Sequence, residues 1–241
     1  MDILQSIILG AVQGITEWLP ISSSGHLVIF QHFFNINVPI FFDVILHLGT
    51  LFVVLIVFYK DILNLDKKTV LYLLSATFIT AVIGFSFKEI LESFFSNILA
   101  VGIGLLITGL LLFSTKSKKG KREMNFSDSL LIGLFQGMAI IPGISRSGAT
   151  ISAGILRNLD REKTAGFSFI LSIPAILGAV LLEFDLKGIE LIPVLTGVLT
   201  SIITGYFSVK FLLKIIKKEK FYIFSYYCFF LGFFIILLTF V

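Results

Sequence analysis

The sequence predicts an all-α integral membrane protein in which six transmembrane helices and two re-entrant helical hairpins form an inverted-topology repeat. Three observations carry this. Of 241 residues, 56% are hydrophobic and only 14% charged, against roughly a quarter charged in a soluble domain. The apolar residues come in long runs instead of stripes of helix or strand period, as bilayer-spanning helices require. A set of Gly, Gln and Ser residues also recurs at one fixed spacing, dividing a single membrane domain, 1–241, into repeats 1–120 and 121–241.

The first element, residues 3–34, is broken. A short apolar arm reaches Gln13 and Glu17, then Pro20, then Ser22-Ser23-Ser24-Gly25-His26, and a second short arm follows. Its start, Met1-Asp2, has no basic lead, so it does not read as a cleavable signal. Runs 41–59, 69–87 and 98–114 are each long enough to span about 30 Å of hydrocarbon. Residues 130–156 repeat the broken form, interrupted by Gln136, Pro142-Gly143, Ser145-Arg146-Ser147-Gly148 and Thr150. Runs 164–182, 191–213 and 221–241 complete the chain.

Loop charge decides whether the second broken region crosses the bilayer. Of 19 Lys and Arg, Arg146 lies inside that region. A crossing would divide the other 18 nine and nine between the faces. Re-entry puts 16 on one face, in residues 60–68, 116–123, 157–163 and 210–220, and leaves Lys88 and Lys187 on the other. Cytoplasmic loops carry the excess of positive charge, so the region is expected to re-enter.

Gly10, Gln13, Gly14, Ser22, Ser24 and Gly25 recur 123 positions on as Gly133, Gln136, Gly137, Ser145, Ser147 and Gly148. Each half is thus one hairpin followed by three spans. Three is odd, so the halves are inverted, and their hairpins enter from opposite faces. Such repeats with discontinuous helices place a site between them. The net charge of +4 is spread over short clusters between apolar runs. That orients a membrane protein, and no nucleic-acid partner is expected.

A hairpin inside the bilayer exposes helix ends that need partners. One of Ser22, Ser23 and Ser24 is expected to cap the second arm, and Ser145 and Ser147 do likewise in the second repeat. Each capped start turns free N–H groups inward, which suits a phosphate or carboxylate. A guanidinium is costly at membrane depth, and the planar fork of Arg146 matches phosphate oxygens. The plainer alternative is that Arg146 only pairs with Glu17 or loop carbonyls. Gln13 and Glu17, four apart, share a helical face. Glu17 could act as general base, bind a divalent metal or balance Arg146.

Ser23 and His26, three apart, share a face of the returning helix, so the hydroxyl could be an activated nucleophile. Alternatively His26 attacks phosphorus while Ser23 positions, or the serines are caps and the histidine a satisfied polar residue. Asp43 and His47 share a face of the first span; they could support the site, but packing or capping is the favoured reading. Gly102-Ile103-Gly104 with Gly109 lacks dinucleotide-loop spacing and reads as close helix packing. The Lys-rich run 214–220 reads as a cytoplasmic loop near anionic headgroups. Cys228 is the single cysteine, so no internal disulfide can form.

GAVQGITEWLPISSSGHLVI resembles the first signature of the bacterial undecaprenyl-diphosphatase family, also called bacitracin-resistance proteins, and PGISRSGATI resembles the second. FFDVILHLGTLFVVLIVFY and FSFILSIPAILGA are similar to that family as well, so the resemblance covers essentially the whole chain. It implies hydrolysis of undecaprenyl diphosphate to the monophosphate, recycling a lipid carrier for cell-wall synthesis on the outer face of the plasma membrane. The family's nucleophilic serine falls on Ser23, its histidine on His26 and its acidic motif on Gln13 and Glu17, with Gln at the first place, where many members carry Glu. Its phosphate-binding arginine falls on Arg146, flanked by Ser145, Ser147 and Thr150, with Ser22 and Gly25 of the first loop facing the same anion. A Mg²⁺ or Ca²⁺ ion, with Glu17 as its ligand, is implied by the resemblance alone. The expected partners are the lipid diphosphate and membrane lipids, and a homodimer is allowed. The rival reading is a transporter or flippase for an anionic substrate, since broken helices in inverted repeats are typical of transporters.

Overall fold

A computed structural model describes residues 2–118, 120–185 and 190–240. Lys119 and Lys187, both counted in the charge argument, and Val241, the last residue of the final run, lie outside the described residues. The fold is helical, and the β-pairing recorded among the described residues is an isolated bridge between Arg122 and Leu159.

Two short helices, α1 (Ile3–Trp18) and α2 (Ser23–Phe34), form a first hairpin. Then come α3 (Ile40–Val57), the one-turn α4 (Tyr59–Leu63), α5 (Lys67–Ser86), the short α6 (Lys88–Ser93) and α7 (Ile98–Ser114). A second hairpin, α8 (Phe126–Met138) and α9 (Arg146–Leu156), precedes α10 (Arg161–Leu182), α11 (Leu191–Lys217) and α12 (Phe224–Leu238).

Among the described residues, five helical runs are long and apolar enough to cross a membrane: α3, α5, α10, α11 and the run Phe221–Leu238. The 17 residues of α7 rise about 26 Å at 1.5 Å each, and α7 meets the preceding short helix at a 103° bend. The chain is therefore a multi-pass membrane protein. The expected run 191–213 continues as helix to Lys217, because Lys214 and Lys217 in its last turn suit the negative end of the helix dipole. The run expected from 221 opens with a 3₁₀ turn, Phe221–Ile223.

Helix starts are written locally. Asp2 and Asn125 form capping boxes with Gln5 and Asp128, while Asp66, Asn97 and Asp160 cap α5, α7 and α10. Small residues then allow close approach. The hairpin helix α1 lies on α11, with Gly10 against the backbone of Gly197 and Gly14 against Ser201, Thr204 and Gly205. The hairpin helix α8 lies on α5, with Gly133 against the backbone of Ala76 and Gly137 against Ile83. Helices α7 and α12 pair through Gly102 and Gly232.

Ion pairs and caps close the ends. Asp128, in the first turn of α8, accepts from Arg122 Nη2 at 2.8 Å and from Arg157 Nε, just past α9, at 3.0 Å. The second hairpin therefore begins and ends at one place. There too the buried Arg161 guanidinium donates to the Thr115, Lys118 and Glu219 carbonyls, drawing together three of the basic loops. Lys88 bonds Glu183 at 3.1 Å, tying the loop after α5 to the loop after α10.

Candidate active site

The two hairpin tips meet. Ser22 caps α2 through the Gly25 N–H at 3.2 Å, and Ser145 caps α9 through the Gly148 N–H at 3.1 Å. The same Ser22 Oγ also accepts from the Gly143 N–H of the other tip, at 3.1 Å. Ser22 has φ 69°, a left-handed conformation costing a non-glycine residue about 1–3 kcal/mol. It is held there because its carbonyl accepts both the backbone N–H and the Nδ1–H of His26, at 3.1 and 2.7 Å. Gly143, at φ +92°, presses on the Val101 carbonyl, where a side chain has no room. Thr108 of α7 brackets that tip, donating to the Gly143 carbonyl and accepting from the Ser145 N–H, each at 2.9 Å.

Glu17, buried near the end of α1, is the centre. Ser23 Oγ donates to its Oε2 at 2.5 Å, and Gln13 Nε2 donates to the same oxygen at 3.0 Å. Arg146 Nη2 donates to Oε1. His47 Nε2 of α3 lies 3.4 Å from Oε2. The Arg146 guanidinium also rests over the Trp18 ring, 5.1 Å from its centroid, an attraction of roughly 0.5–2 kcal/mol. Buried without a hydrogen-bond partner among the described residues are Arg146 Nη1 and Gln13 Oε1, a donor and an acceptor left open beside the carboxylate.

The expected residues divide. Ser23, Glu17, Gln13 and Arg146 come together. Ser22 and Ser145 are caps, and Gly25 supplies the capped N–H. Ser147 Oγ reaches the Leu19 carbonyl at 3.4 Å. Thr150 Oγ1 is engaged by the Arg146 carbonyl at 2.8 Å and Ser168 Oγ at 2.6 Å, so it braces α9 on α10 instead of facing an anion. The expected Ser23–His26 pair does not form. The His26 ring is committed to the Ser22 carbonyl and to the Tyr227 hydroxyl, 2.7 Å from Nε2, and stacks on the Tyr227 ring. A shared helix face did not imply contact, since side chains lean toward the N-terminus and Ser23, the first helical residue, turns back to α1.

His47, for which the sequence favoured packing or capping over support of the site, stands at the site. Thr108, Tyr227 and Trp18 were missed. Their only sequence signal is polarity or aromaticity inside an apolar run, and each joins the site through the tertiary fold.

The divalent cation implied by the resemblance can be tested on the donor set. Hard cations take six or more oxygens, several of them carboxylate. Here Glu17 has both oxygens engaged, one by a guanidinium, and the open oxygen is a single amide. No group of three His, Cys, Asp or Glu disposed to hold a metal occurs among the described residues. These residues do not make a cage for a resident cation.

Residues 6–234 match a family described as bacitracin resistance protein BacA. Three relatives carry the name undecaprenyl-diphosphatase. One from Carboxydothermus hydrogenoformans is 44% identical over 96% of this chain and 95% of its own. One from Halothermothrix orenii is 42% identical over 99% of each. One from Korarchaeum cryptofilum is 42% identical over 96% and 97%.

Proposed function

The chain belongs to the bacitracin resistance protein BacA family, and on that premise we infer that it is an enzyme hydrolysing undecaprenyl diphosphate to undecaprenyl phosphate and inorganic phosphate. The relatives' shared name favours hydrolysis over transport. The observation that carries the chemistry is a hydroxyl 2.5 Å from a buried carboxylate whose other oxygen receives a guanidinium from the opposite hairpin.

In the mechanism we propose, the terminal phosphate lies between the two capped helix starts and takes Arg146, whose open Nη1 supplies the first donor. Ser23 Oγ attacks the terminal phosphorus and gives its proton to Glu17 Oε2. An O–P bond to serine forms, the anhydride P–O bond breaks, and undecaprenyl phosphate leaves. Glu17 passes that proton to the departing phosphate oxygen and is ionised again. It then takes a proton from water as the water attacks the phosphoserine. The Oγ–P bond breaks, Ser23 Oγ regains its proton from Glu17 and phosphate leaves. Helix N-termini and Arg146 stabilise the charge in flight. His26 fixes the strained Ser22 backbone and so aims Ser23. The implied cation has no step here.

We also read the hairpins as re-entrant and the two halves as an inverted repeat. Helices α1 and α8 each pack on the middle span of the other half, α11 and α5. The clasp of Asp128 with Arg157 returns the second hairpin to its starting side. With basic loops inside, the first hairpin enters from the outer face of the plasma membrane, and the substrate approaches from there.

The test is phosphate release from undecaprenyl diphosphate by the detergent-purified protein. Wild type turns over, and Ser23→Ala loses activity by at least about 10³-fold. Full activity in that variant removes serine from the nucleophile's place.

A further inference from the structure

Glu17 has one partner that no signature residue supplies. We propose that His47 is a positioning residue of the reaction, holding the Glu17 carboxylate on Ser23 after Arg146 has turned to the phosphate. The inference rests on the phosphatase reading above.

Four side chains on four helices surround Glu17: Gln13 of α1, which carries Glu17 itself, Ser23 of α2, His47 of α3 and Arg146 of α9. Arg146 cannot serve Glu17 and a phosphate fully at once, since Nη2 is spent on Oε1. Substrate therefore draws away the strongest partner of the carboxylate, while Oε2 must keep facing the Ser23 hydroxyl. Gln13, on the same helix as Glu17, moves with it. His47 is the remaining anchor from a separate helix.

Its ring is fixed for that role. A carbonyl only accepts, so His47 Nδ1 donates to the Asp43 carbonyl at 2.8 Å, which turns Nε2 to Glu17 Oε2. A carboxylate also only accepts, so the anchoring form of the ring is the imidazolium, with N–H at both nitrogens. Thr50, one turn on, donates to the His47 carbonyl at 2.9 Å. Helix α3 is also locked to α2, because Gln31 Nε2 donates to both oxygens of Asp43 at 2.8 Å. The anchor's helix and the nucleophile's helix are thus joined through Gln31 and Asp43, and Glu17 meets a side chain from each.

The experiment compares His47→Gln, His47→Asn and His47→Leu in the full-length purified protein, with kcat and KM for undecaprenyl diphosphate. Gln can place an amide N–H where Nε2 stands, whereas Asn is too short to reach Glu17. Misplacing a catalytic group by about 1 Å costs up to about 100-fold, so kcat is expected to fall about 10- to 100-fold in Asn and Leu. KM stays near wild type, and Gln restores most of the loss. Unchanged kcat in Asn, a rise in KM alone, or Gln no better than Asn overturns the proposal. Failure of wild type to release phosphate would instead strike the phosphatase reading. A readout free of turnover is the Glu17 carboxylate infrared band, identified by its loss in Glu17→Gln. It shifts in His47→Leu and returns in His47→Gln, and a band unmoved in His47→Leu also overturns the proposal.

Discussion

The two hairpins share one residue pattern and differ in the polar side chains that break it. Position by position, Ser22 answers Ser145 as helix cap, Gly25 answers Gly148 as the capped N–H, and Gln13 answers Gln136. The chemistry lies where the pattern departs. Glu17, Ser23 and His26 stand where the second hairpin has Ile140, Arg146 and Ala149. In the mechanism we propose, the first hairpin supplies the nucleophile and its base, and the second supplies the guanidinium. The recurring pattern gives two capped helix starts, and the positions where it departs set them apart.

That division can be broken by experiment. The largest effect is expected from the first hairpin: Glu17→Gln should lower kcat by about 10²–10⁴-fold, the range of a positioned general base. A variant that keeps kcat and only raises KM would place Glu17 in binding instead. Next, Arg146→Lys should raise KM and lower kcat, each by roughly 10-fold, because an ammonium cannot reproduce the planar fork. An effect on kcat equal to that of Glu17→Gln, with KM unchanged, would erase the distinction between the hairpins. Thr108→Val removes both hydrogen bonds that bracket the second tip, and a loss of several-fold in kcat/KM is expected, with Thr108→Ser near wild type.

Two stability measurements sharpen the comparison further. Gly10→Ala and Gly133→Ala push a methyl into the backbone of the opposite half and should each cost about 1–3 kcal/mol in detergent unfolding. Strongly unequal losses would argue against equivalent seating. The smallest effect is expected at the base of the second hairpin. Burial works to raise the Asp128 carboxyl, but hydrogen bonds from Arg122, the Asn125 backbone and Arg157 outweigh it and hold it below its ordinary value. A depressed folded pKa gives stability that is full above the unfolded value near 3.9 and is lost as pH falls through the folded one. Asp128→Asn should therefore destabilise the fold at pH 7 by about 1 kcal/mol, given its half-exposed partners, read as a lower Tm, and the gap should close as pH falls from about 4 through the folded value. A gap that persists there would assign the loss to packing.

Local chemistry was legible in the sequence, and long-range chemistry was not. The recurring Gly, Gln and Ser residues announced the breaks and the caps, because capping acts within three residues. The apolar runs gave the spans within a few residues. Nothing local announced that the His47 ring would reach Glu17 from a neighbouring helix, or that Tyr227 would meet His26 across 201 positions. Thr108 and Trp18 were hidden likewise, since one hydroxyl or indole in an apolar run is ordinary packing until a partner arrives. The Ser23–His26 pair failed for the opposite reason. Proximity in sequence was real, but Glu17 and the Ser22 carbonyl won the two side chains.

The hydrogen bond from Gly143 to Ser22 Oγ has a consequence for synthesis. The nascent first half emerges with its hydroxyl and carboxylate already made, yet it has neither the guanidinium nor the amide that steadies the Ser22 turn. Under the mechanism we propose, the first half alone is inert, and reactivity arises once residues more than a hundred positions later dock against it.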